Sequence, residues 1–175
     1  MKVSHDNPVF IKYLLSGDDE DSEIIRKGFI KDITGHRVKE TKVLNPEINP
    51  ESKELLHTAM KDEKGILYDF LIFKDLNRAA LISIHVLMGQ HLQQQLCQCD
   101  HDDSKIRPVH MIVFISNDTG EEHGALVHHY RYADDEGNFL TYDMNIHIIN
   151  ISAIDDVAKK RGMVLIQQNV QGIYH

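Results

Sequence analysis

The chain has 175 residues, 42% hydrophobic and 26% charged, which suits one ordinary domain with a proper core. Its net charge of −8 excludes a broadly basic DNA-coating surface, because phosphate binding needs concentrated positive charge. Its longest nearly uncharged stretch, Ala79 to Cys99, carries two histidines and a run of glutamines and excludes a membrane span.

The opening residues lack the basic-then-apolar order of a signal peptide, so a cytoplasmic location is expected. Cys97 and Cys99 are too close to staple distant elements, so no disulfide framework is implied and a reducing compartment fits. Twelve histidines make the charge strongly pH-dependent below neutrality.

In chain order, Asp6 or Asn7 caps a short amphipathic helix with Pro8 near its first position, Val9, Phe10, Tyr13 and Leu14 on its apolar side and Gly17 at its end. Ile24, Ile25, Gly28, Phe29 and Ile33 set a second helix that starts near Ser22 and stops at Gly35, with Asp18 to Asp21 at its positive dipole end. Val38 to Leu44 alternates as a strand, and NPEINPE follows as a loop. Leu55–Met60 and Ile66–Phe73 form a hairpin around Asp62, Glu63, Lys64 and Gly65, the glycine taking the position that requires positive φ.

Asn77 caps a long helix whose stripe is read as Leu81, Ile84, Met88, Leu92 and Leu96, widened by Ala80 and Leu87. Strands follow at Val109–Ser116, Ala125–Tyr132 and Asn145–Ile151, separated by turns on Asn117-Asp118-Thr119-Gly120 and Asp134-Asp135-Glu136-Gly137. A last helix-like piece spans Asp155 to Arg161. This order describes a single α/β domain over residues 1–175, a sheet with helices packed on it.

Six phrases in order, DNPVFIKYLLSG, VKETKVLNPEI, KDEKG, NRAAL, IRPVHMIVFIS and HHYRYADDEGNFLTYDMNIHIINI, make residues 5–151 resemble the Rpn-type, transposase-related branch of the PD-(D/E)XK nuclease superfamily. The resemblance implies a restriction-endonuclease-like mixed central sheet. It also implies a DNA-cutting site in which a divalent metal is held by an Asp on the first hairpin strand and a Glu-x-Gln or Glu-x-Lys on the second. A hard cation wants oxygen ligands, and residues two apart on a strand share a face. Aligned on KDEKG, this chain has His57, Leu71 and Phe73 at those three positions. Leucine and phenylalanine offer no lone pair, and imidazole is a poor replacement for a carboxylate around Mg²⁺.

Asp69 shares a face with Leu71 and Phe73, so a relocated metal group of His57, Asp69 and Glu54 competes with a bland reading of Asp69 as a satisfied polar group. Arg78, at the head of the long helix, and Lys12, in the first helix, are the candidate contacts to nucleic acid or a partner, as the resemblance implies for Arg78. Cys97, Cys99 and His101 lie close together but lack the second ligand pair of a zinc site. His85 and His91 are six apart on the helix and do not share a face; His128 and His129 are adjacent on a strand and point to opposite sides.

The expectation is a nuclease-like protein that has lost metal-dependent cleavage and acts by binding. A protein partner or a second copy fits the acidic balance better than naked DNA, with a mobile-element or phage-defence setting implied by the resemblance. No cofactor is expected, or Mg or Mn if a residual site exists. The rivals are an active endonuclease with a site around Asp69, and an oligomerising scaffold that uses an apolar patch around Leu71 and Phe73.

Overall fold

The structure, a computed structural model, describes residues 15–45, 56–100, 102–115 and 127–150. The expected first helix, with Lys12, lies outside these residues except for its last two. So do the NPEINPE loop, Glu54, His101, the turn at 117–120 and the piece at 155–161.

Helix α1 covers Glu20–Thr34, starting two residues before Ser22 because Asp19 is the cap, accepting from Ser22 N. It ends at Gly35, whose φ of 77° is the left-handed cap conformation that glycine adopts without strain. The strands are β1 (Thr41–Asn45), β2 (Leu56–Asp62), β3 (Leu67–Phe73), β4 (Val109–Ile115), β5 (Val127–Arg131) and β6 (Met144–Asn150), and helix α2 (Arg78–Gln98) joins β3 to β4. β1 begins three residues after the alternation does, since Lys39 N is taken by the Glu63 carboxylate instead of a ladder partner.

The six strands form one mixed sheet in the order β1-β2-β3-β4-β6-β5. β1, β2 and β3 run antiparallel in turn, β3, β4 and β6 are mutually parallel, and β5 returns antiparallel to β6 at the edge. The β2–β3 turn has Gly65 at φ 80°, as its position demands. The class is mixed α/β, with two helices packed on the sheet.

β3 and β4 are buried along their whole length, the pattern of strands covered on both faces. Side-chain alternation splits the core into two layers. Tyr68, Phe70, Ile72, Ile112, Phe114 and Ile149 meet Ile30 and Ile33 of α1. Leu67, Leu71, Phe73, Met111, Val113 and Ile148 meet Ala80, Ile84 and Met88 of α2.

Two readings of the α2 side are corrected. Leu71 and Phe73 are 0% and 5% exposed beneath α2, so they are core and not an interface patch. The buried stripe of α2 consists of Ala80, Ile84, Met88 and Gln95, with Leu81 40% exposed. A stripe counted from apolar residues alone skips Gln95, which is buried because its amide clamps the backbone of Arg107: Nε2 donates to Arg107 O at 3.1 Å, and Arg107 N donates to Oε1 at 2.8 Å.

Candidate functional site

The site is set by strand pairing. β2 and β3 place His57 opposite Leu71 and Ala59 opposite Asp69, so His57 and Asp69 are diagonal neighbours on one face of the hairpin. That face lies under α2, and Asp69 is fully buried on a central strand. An ionised carboxylate in such a place is costly unless donors surround it.

Two imidazoles supply them. His57 Nε2 donates to Oδ2 at 3.0 Å and lies equally far from Oδ1, while His91 Nε2, from α2, donates to Oδ2 at 2.7 Å. Oδ1 accepts no hydrogen bond among the described residues. Burial pushes the Asp69 carboxyl up, but the bonds from His57 and His91 outweigh it and hold the group below its ordinary value. The side chains of His57 and His91 are 28% and 14% exposed, so the group is reachable from one side.

One ligand atom from each of His57, Asp69 and His91 lies within 4.8 Å of the others, making the one such group of three among the described residues. Two imidazoles and a carboxylate suit zinc or another transition ion, and not Mg²⁺, which favours oxygen. Ligands about 2.0–2.1 Å from a tetrahedral zinc stand roughly 3.3 Å apart, so an ion replacing the two N–H hydrogens needs the rings to part by a few tenths of an ångström.

The sequence placed His57 and Asp69 together correctly, and the structure adds His91. Its signal was position: His91 follows Met88 by three and precedes Gln95 by four, on the sheet-facing side of α2. His85 is exposed and donates to Leu81 O at 2.6 Å. Arg78 is exposed at the first residue of α2, about 20 Å along the axis from His91, and does not join the group. Cys97 is an exposed free thiol and Cys99 a half-buried one; neither contributes to the group.

His128 and His129 do point to opposite faces, and only His129 joins a second cluster, on the α1 side of the sheet. Known protein families, curated proteins and solved structures were compared with this chain, and none of them matches it.

Proposed function

We propose that this chain is a relative of the Rpn-type PD-(D/E)XK branch that has lost the family's Mg²⁺-dependent DNA cleavage and acts by binding. A protein partner or a second copy is favoured over naked DNA, in the cytoplasm, in a mobile-element or phage-defence setting. The observation that supports it most is the fate of the hairpin. Leu71 and Phe73, at the positions where the resemblance calls for a Glu and a Gln or Lys, are core side chains under α2. The remaining carboxylate there, Asp69, is held by two imidazoles. One carboxylate does not satisfy an ion that demands octahedral oxygen. No helix among the described residues is long and apolar enough to cross a membrane.

A second reading rests on the His57–Asp69–His91 group: a hydrolase that uses a transition metal in place of Mg²⁺. His57, Asp69 and His91 would hold such an ion, which would supply Lewis acidity and lower the pKa of a water bound to it. Lys42 and Lys61 pair across β1 and β2 on the same face of the sheet as His57, which favours an anionic substrate.

Supercoiled plasmid incubated with the purified protein and Mg²⁺, Mn²⁺ or Zn²⁺ separates the two. The binding reading expects no nicking with any of them. Nicking that is lost in Asp69→Ala replaces that reading with the hydrolase.

A further inference from the structure

The α1 side of the sheet holds a second histidine cluster that the reading above does not use. His110 of β4 and His147 of β6 stack with ring centroids 5.2 Å apart, and His110 Nδ1 lies 2.9 Å from His147 Nε2. His147 Nδ1 in turn lies 2.7 Å from Nδ1 of His129 on β5. His36, just past the end of α1, packs edge-on to His110 at 4.9 Å, and its Nδ1 is 3.1 Å from the hydroxyl of Tyr68, which donates to Asp62.

These four histidines, with Arg131 and Asn145, line a cavity of about 460 Å³. No described carboxylate lines it, in a chain with 27 acidic residues and a net charge of −8. Asp62, the carboxylate bonded to Tyr68, accepts from Lys64 N, Ile66 N and Tyr68 Oη.

The hydrogen count inside the cluster is incomplete. A neutral imidazole has one N–H, and both nitrogens of His147 are engaged, so the N–H···N chain runs either towards His110 or away from it. His110 is 5% exposed, and its Nε2 has no partner among the described residues. In one direction of the chain that atom is a buried N–H without an acceptor; in the other it is a buried lone pair without a donor. Native interiors seldom leave such a group orphaned, and its presence points to a ligand.

We propose that this cavity is a binding site for a phosphate group, with Arg131 as its fixed cation and His110 Nε2–H as its buried donor. An anion selects the direction of the chain in which His110 Nε2 carries the hydrogen, with His110 Nδ1 accepting from His147 and His147 Nδ1 accepting from His129. Arg131 lies over the Phe139 ring, 5.3 Å from its centroid, and its fork has no hydrogen-bond partner among the described residues. The C-terminal end of α1 also reaches the cavity and opposes an anion, but that dipole effect is confined to the last turn and carries a partial charge against the full charge of Arg131. In the ligand-free protein, burial first, and then the neighbouring histidines and Arg131, keep His110 and His147 well below the ordinary imidazole value. A dianion opposes those repulsions. The three ligand atoms of a metal site do not converge in this cluster.

The test is an NMR titration of the full chain, treated with EDTA, with inorganic phosphate at pH 7 and constant ionic strength, following the ring Cε1–H signals of His110 and His147. A second arm uses methyl phosphate, to tell free phosphate from a phosphomonoester as the source. Saturable shifts with a dissociation constant of about 1 mM or tighter are expected with at least one probe, and the tighter probe names the source. Arg131→Gln, at an exposed position that should not affect folding, is expected to weaken binding about tenfold. Lys74→Gln, which removes an exposed cation outside the cavity, should leave it unchanged. Shifts that stay linear with both probes overturn the proposal, and so does an affinity indifferent to Arg131→Gln or equally weakened by Lys74→Gln.

Discussion

The two faces of the sheet bury titratable groups from neighbouring central strands and satisfy them in opposite ways. On the α2 face Asp69 of β3 is a carboxylate flanked by two imidazoles; on the α1 face His110 of β4 is an imidazole among imidazoles, with Arg131 nearby. The first group has complementary partners and is held charged, the second has like partners and is held neutral. Burial disfavours the charged form of both; the two imidazoles beside Asp69 outweigh it, whereas the histidines and Arg131 near His110 add to it. The α2 face is therefore suited to a cation that replaces hydrogens, and the α1 face to an anion that relieves repulsion.

Acid should expose the difference most strongly. His110 is pushed down to about 3 and His147 to about 4, from an ordinary 6.5. The unfolded chain therefore takes up protons that the folded chain refuses, and stability falls as pH drops from 6.5 towards 4. With two such groups the slope approaches about 2.7 kcal/mol per pH unit near pH 5, and His110→Phe should reduce it to about 1.4, measured by urea unfolding across pH. Asp69 acts with the same sign in a lower window: its folded value is also depressed, so its contribution is present above the ordinary 3.8 and is lost as pH falls through the depressed value. An unfolding free energy that is flat from pH 6.5 to 4.5 would erase the contrast.

The next largest effect concerns the cation. If His57, Asp69 and His91 take a transition ion, Asp69→Asn keeps the shape, removes the charge, and should lower zinc affinity at least about a hundredfold by calorimetry, while His110→Phe leaves it unchanged. In the metal-free protein His91→Ala leaves the buried carboxylate with a single donor and should cost about 2 kcal/mol, the range for a hydrogen bond to a charged group, read from chemical denaturation. The smallest effect is at the turn that orders both faces. Gly65→Ala should cost about 1 kcal/mol through its φ of 80°, since an added Cβ would meet only the Arg107 side chain, at an ordinary 3.6 Å.

The sequence made the strands themselves and the shared face of His57 and Asp69 legible because a period of two is a local property. Gly35, Gly65 and Asn77 were legible because caps and turns are decided by one residue's conformation. His91 was not, since its partner is 22 positions away and the stripe was counted from apolar residues only. The rival reading that put Leu71 and Phe73 in an exposed patch arose because nothing local says that α2 folds back over them. The α1 cluster was missed for a related reason: His110 and His147 stand in apolar strands and acquire meaning only once β4 and β6 are paired.

Adjacent residues of β3 serve opposite faces. Tyr68 stacks on His110, and Asp69 turns towards His91. A slip of one residue in the hairpin would carry the carboxylate into the imidazole cavity and push a phenol under α2, leaving both faces with mismatched chemistry. The polar pair thus acts as a check on threading: hydrophobicity alone tolerates a shifted hairpin in strands this greasy, and Tyr68-Asp69 penalises it twice.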